Sequence, residues 1–234
     1  MSGSHAPPRD LAAVVFDVDG TLYRLRPVRL AMAAELLVGS LTRGPRLLRT
    51  IRAYRAAHEE LRRDAVSRDD LRDEQVRRAA AATGQAPEVV ATVVARWMER
   101  RPLRYLRIAR RRGLRTALDA LRAADLRVGA FSDYPARQKL AALGVADRFT
   151  AVCAAGDPGI PAVKPDPAGL RAVCERLGVA PDRALYVGDR ADVDLPAAAA
   201  AGMPSALIGR PEAAAGSAPA FPDLPALVRW IRAG

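Results

Sequence analysis

Apolar and polar positions divide the chain into two textures. Residues 12–16 (AAVVF) form a short apolar run that ends at acidic residues and Gly20, the pattern of a buried strand entering a loop. From about Val28 to Arg100 the spacing turns helical. Leu47, Leu48, Ile51, Tyr54, His58 and Leu61 recur along one face, at the ~3.6-residue period of an α-helix. Gly44-Pro45, Thr83-Gly84, Pro87 and Pro102 punctuate this stretch into several helices, and no strand-like alternation interrupts it.

After Gly113 the two patterns alternate. Helices are predicted over 114–124, 136–143, 167–177, 195–201 and 224–232, and strands over 127–131, 149–154, 184–188 and 204–209. Gly144, Gly178 and Gly202 mark helix ends, Asp223 is an expected N-cap, and residues 211–222 are expected to be loop. Strands that alternate with helices through short connections pair in parallel and are covered on both faces. The expected fold class is therefore α/β: a Rossmann-like, doubly wound parallel sheet with an all-helical insertion. The core comprises residues 1–23 and 114–234, and the helical domain residues 24–113.

Composition narrows the class. A chain of 234 residues, half hydrophobic and 27% charged, can bury a core without staples. No apolar run reaches the ~18–20 residues of a membrane span, and the opening MSGSHAPPRD lacks the order of a secretion signal. Cys153 and Cys174 read as packed thiols in a reducing cytoplasm. His5 reads as a tail residue and His58 as a helix-face residue, neither with an assigned role; Trp97 and Trp230 read as packing anchors. Two histidines and two cysteines at these spacings do not make a zinc site, so any metal is expected on carboxylates.

The net charge of +11 is uneven. Residues 24–113 carry 22 Arg against 10 acidic residues, a net of +12, so the rest of the chain is close to neutral. Such a block concentrates anions, or is simply a solvated Arg-rich surface. Arg24 and Arg26 stand at one junction with the core and the dense run Arg100–Arg115 at the other.

Ligands of parallel α/β sheets bind at the carboxyl ends of strands, and there the candidate chemistry collects. Asp17-Val18-Asp19-Gly20-Thr21 follows the first strand, Ser132-Asp133 the second, and Asp189, Asp192 and Asp194 the fourth; Lys164 lies in the loop beyond the third. Asp17 and Asp19, two apart in extended chain, face the same way. One can act as nucleophile and the other as proton carrier. Clustered carboxylates call for a cation, and Mg²⁺ suits oxygen ligands. Gly20 lets backbone turn close to a ligand. Ser132 can donate to an anionic oxygen and Lys164 can neutralise phosphate. Singly, each has a plainer reading. Ser132-Asp133 and Asp194 could be helix caps, Lys164 a surface residue, and Asp192 is read as a cap.

Together, FDVDGTL, a Ser after the next strand, Lys-Pro-Asp and a later VGDxxxxD resemble the four motifs of the haloacid dehalogenase-like hydrolase superfamily, over nearly the whole chain and most of all its phosphoglycolate phosphatase-like members. The resemblance implies a Rossmann-like core with a helical cap inserted after the first motif. It implies Asp17 as nucleophile, Asp19 as general acid/base and Lys164 as charge neutraliser. The phosphate-binding groups it implies are Asp19, Gly20, Thr21, Ser132, Asp133 and Lys164. Mg²⁺ would be held by Asp17, the Asp19 backbone carbonyl and Asp189, supported by Asp194. Where many relatives continue the first motif with an acidic residue and Ser or Thr, this chain has Tyr23-Arg24-Leu25-Arg26, so substrate identity is not carried over. The expected function is a Mg²⁺-dependent phosphatase acting on a small phosphorylated metabolite through an aspartyl-phosphate. The rivals are a phosphomutase, a C–halogen hydrolase and a non-catalytic binder of nucleic acid or another anion.

Overall fold

A computed structural model describes residues 6–8, 10–209 and 218–233, without the side chains of residues 40–43. His5 and most of the expected 211–222 loop lie outside the described residues. The first strand, β1 (Ala13–Phe16), is completely buried. Flanking it are β2 (Arg127–Ser132), β3 (Ala151–Ala154), β4 (Ala184–Gly188), β5 (Ser205–Ile208) and β6 (Ala220–Phe221). All pairs are parallel, in the order β3-β2-β1-β4-β5-β6. The sequence predicted the first five strands. It placed β6 in a loop, because two residues carry no alternation to read.

Period-two alternation explains how the sheet is covered. Val14, Phe16, Val128, Val187 and Leu185 face one cluster. There they meet α6 (Leu114–Arg122), α7 (Arg137–Leu143) and α10 (Leu224–Ile231). Ala13, Val15, Phe131 and Tyr186 face the other, under α8 (Ala168–Leu177) and α9 (Asp194–Ala201). Asp223 caps α10 as expected, its carboxylate accepting from the Ala226 amide at 2.8 Å. The strand-to-helix alternation thus gives three layers, helix–sheet–helix. Cys153 and Cys174 are free and buried. No helix among the described residues is long and apolar enough to cross a membrane.

Between β1 and α6 the chain forms α1 (Leu25–Arg43), α2 (Arg46–Arg63), α3 (Leu71–Thr83), α4 (Pro87–Val94) and α5 (Leu103–Ala109). The stripe on α2 buries Leu47, Ile51, Tyr54, His58 and Leu61 as its spacing predicts. Residues Ala95–Arg100 continue α4 as a π-helical turn, which nothing in the apolar pattern announces. The chain leaves and re-enters the core side by side. The Arg24 amide donates to the Ala109 carbonyl at 2.9 Å and the Arg111 amide to the Leu22 carbonyl at 3.1 Å, with Tyr23 bridging Arg110 in antiparallel fashion.

Candidate active site

β1 and β4 are neighbours at the point where the strand order reverses, with β2 on the far side of β1. That switch point leaves a crevice at the carboxyl ends. Asp17 follows β1, Ser132 ends β2 and Asp189 follows β4. Gly20 closes the first loop at a φ of +100°, and a Cβ there would stand 2.0 Å from the Asp189 carboxylate. Only glycine permits so close a crossing. Arg111 fixes the same loop from outside, donating to the Gly20 carbonyl at 2.7 Å.

Lys164 is the centre of the cluster. It is 4% exposed, which disposes of the surface reading. Its Nζ donates to Asp17 at 2.7 Å, to Asp194 at 2.8 Å and to the Tyr186 hydroxyl at 3.1 Å. Burial alone would lower its pKa, but Asp17, Tyr186 and Asp194 hold the ammonium well above the usual lysine range. Burial raises the Asp17 carboxyl, Lys164 opposes that, and Asp194, Asp189 and Asp19 add to the rise; the net direction is up. Asp194 does not act as a simple cap. One oxygen takes the Lys164 and Tyr186 bonds, and the other accepts the Asp189 and Arg190 amides at 3.0 and 2.9 Å. Asp192, read as a cap, instead pairs with Arg190 at 2.7 Å on the surface, and Val193 holds the N-cap position of α9.

Carboxylate oxygens of Asp17, Asp189 and Asp194 lie within 4.8 Å of one another. Burial first, and Asp194 second, push the Asp189 carboxyl up to about 6. Thr21 keeps a buried hydroxyl without a partner. An all-oxygen set with uncompensated negative charge fits a hard divalent cation.

Asp19 faces a different set of groups. Its carboxylate accepts from the Tyr23 hydroxyl, from Lys139 and, at 3.3 Å, from Ser132. Burial would raise it, but Lys139 and Tyr23 hold it below the ordinary carboxylate range. Asp133 does not cap α7, whose N-cap is Ala136. Instead it accepts the Lys164 amide at 3.0 Å and Arg62 at 2.8 Å. Burial would raise the Asp133 carboxyl too, but Lys164 and His58 hold it well below the usual range. The structure thus brings Asp17, Asp19, Ser132, Asp133, Lys164, Asp189 and Asp194 to one crevice, with Gly20 against Asp189; Thr21 is buried in the loop after β1 and is not among the residues lining the cavity. The structure adds Lys139, Tyr23, Arg62 and His58, which the sequence reading left without a role. His58 is 2% exposed, stacks on Tyr134 at 4.6 Å and keeps an unpartnered Nδ1. Its signal was its place on the buried stripe of α2. Arg24 and Arg26 are exposed; Arg29 and Arg55 are the block arginines that, with Arg62, line the cavity of about 380 Å³ above the carboxylates.

A family model described as haloacid dehalogenase-like hydrolase matches residues 11–202. Over 127 residues the chain is 37% identical to a phosphoglycolate phosphatase of Rhodospirillum rubrum, covering 51% of this chain and 52% of that protein, about half its length. A phosphoglycolate phosphatase of Xylella fastidiosa is 34% identical over 214 residues, 86% of this chain and 80% of that one. The fold is also that of a 2-haloacid dehalogenase from Pseudomonas syringae, at a TM-score of 0.65 and 22% identity over 95% of this chain and 99% of that one.

Proposed function

The chain belongs to the haloacid dehalogenase-like hydrolase family, and from that premise we propose that it is a Mg²⁺-dependent phosphatase hydrolysing a phosphomonoester through an aspartyl-phosphate. The observation that supports this best is the buried contact of Asp17 with Lys164 at 2.7 Å beside Asp189 and Asp194. In this reading Asp17, Asp189 and the Asp19 carbonyl hold the metal, and Asp194 secures their loop and Lys164. Bound there, the ion would neutralise charge on the cluster and on the phosphoryl oxygens.

Asp17 attacks phosphorus, forming an Asp–O–P bond as the P–O bond to the leaving group breaks. Lys164, Ser132 and Thr21 hold the equatorial oxygens, and Lys164 opposes the pull of burial toward a neutral Asp17 when a second anion arrives. Asp19 gives a proton to the leaving oxygen and later takes one from the water that opens the intermediate. Because Lys139 and Tyr23 keep Asp19 anionic at rest, its first proton enters with the substrate or from solvent. Residues 24–113 act as a cap over a core of residues 1–23 and 114–234, excluding bulk water. A reducing cytoplasm suits the two free thiols.

Phosphate release from p-nitrophenyl phosphate tests the reading. Release should require Mg²⁺, vanish with EDTA and vanish in Asp17→Asn, since an amide is a poor nucleophile. Full activity in EDTA overturns it; chloride release from a chloroacid without Mg²⁺ would turn it toward C–halogen hydrolysis.

A further inference from the structure

The cavity over the carboxylates has two unlike walls. Its floor is the polar ring of strand ends. The opposite wall is hydrocarbon, supplied from within the helical block by Met32, Ile51, Val94, Trp97, Met98 and Leu106. At about 380 Å³ it falls in the size range of small-molecule sites, ~300–1,000 Å³.

Apart from Met98 these side chains are buried in the packing of the helices, and three features single out the face they turn to the cavity. Trp97 and Met98 belong to the π-helical turn, and such turns, rare in helices, gather at functional sites. The Trp97 ring is seated by Gly39, where a Cβ would meet it at 2.6 Å. Two of the chain's four methionines, Met32 and Met98, line the space, and methionine reshapes easily around apolar ligands.

Most of the buried charge around the phosphate site is already paired. Lys139, Lys164 and Arg62 are already engaged with Asp19, Asp17, Asp194 and Asp133. Arg29 and Arg55 line the cavity but remain exposed to solvent, where screening weakens their hold on an anion. Glu99 lines the cavity and repels carboxylates, while Glu59 is paired with Arg62. A polar leaving group moved onto the hydrocarbon wall would lose water without gaining partners.

We propose that this wall receives the non-phosphate part of the substrate, so that the substrate class is phosphomonoesters of apolar alcohols, alkyl or aryl, rather than short phosphorylated hydroxyacids. This rests on the phosphatase reading for turnover, but the binding preference can be measured without it.

The test is calorimetric titration of the Mg²⁺-loaded protein with methyl-, butyl- and hexylphosphonate, whose C–P bond is not hydrolysed. Affinity should rise about fourfold per methylene until the space is filled. Met98→Trp should abolish most of that gain, and wild-type turnover of acetyl phosphate, too small to reach the wall, reports on the phosphatase reading alone. Equal affinity for methyl- and hexylphosphonate overturns the proposal, and the wild-type series decides this even if the variant does not fold. Acetyl phosphate separates the two readings. Turnover with a flat phosphonate series removes the apolar wall and keeps the phosphatase. A rising series without turnover does the reverse.

Discussion

Asp17 and Asp19 are two residues apart and have opposite electrostatic settings. Asp17 is pushed up by burial and by neighbouring carboxylates, whereas Asp19 is held down by Lys139 and Tyr23. The two carboxyls thus titrate apart, and a cation bound at Asp17 would return it to the anionic form that a nucleophile needs. Asp19→Asn should slow turnover of an alkyl phosphate by about 10²-fold or more. The loss should be smaller for p-nitrophenyl phosphate, which leaves without protonation; steady-state kinetics on the two substrates checks this, and equal losses would assign Asp19 to site geometry. The aspartates were legible in the sequence because each directly follows an apolar strand run. Lys139 was not. It is 120 residues from Asp19 and looks locally like any helix-surface cation. Only tertiary folding sets it against its partner.

α2 joins the helical block to the strand ends. Arg62 donates to Asp133 at 2.8 Å and to the Lys164 carbonyl at 2.8 Å, so one side chain clamps the loops after β2 and β3. Removing one partner of such a largely buried pair costs about 3 kcal/mol or more, and Asp133→Asn should lose roughly that in urea unfolding at pH 7. The sign with pH follows from the depressed carboxyl. Its stabilisation is complete above the unfolded-state value of about 4 and is lost as pH falls below it toward the lower native value. Wild type should therefore weaken more than Asp133→Asn between pH 7 and pH 3. At this scale the helices and five strands could be read from periodicity and punctuation. The π-turn could not, since its altered hydrogen bonding has no compositional mark. Nor could the clamp, whose ends are 71 residues apart.

Over the whole molecule the positive charge has been sorted by the fold. The dense run near the second junction is partly structural. Arg101 stacks on Trp97 at 4.1 Å, and Arg110 and Arg111 donate to the Leu143 and Gly20 carbonyls. Arg29 and Arg55, exposed in the cavity lining, can draw phosphates inward. Arg29→Ala and Arg55→Ala should lower kcat/KM for every phosphomonoester alike and flatten its fall with added salt. Arg24→Ala and Arg26→Ala, exposed and outside the cavity lining, should change it by less than about twofold, because charges beyond a Debye length of ~8–10 Å are screened; stopped-time assays from low to high salt separate the two pairs. One connection governs how this charged block can move. Its two crossings are laced by the Arg24–Ala109 and Arg111–Leu22 bonds, like the knuckles of a door hinge. The block is also tied at α2 by the Arg62 bonds to Asp133 and the Lys164 carbonyl, so widening the entrance about that edge requires those bonds to break. Tyr23 sits in that hinge with its hydroxyl on Asp19. A shift at that edge would therefore be felt directly at the Asp19 carboxylate.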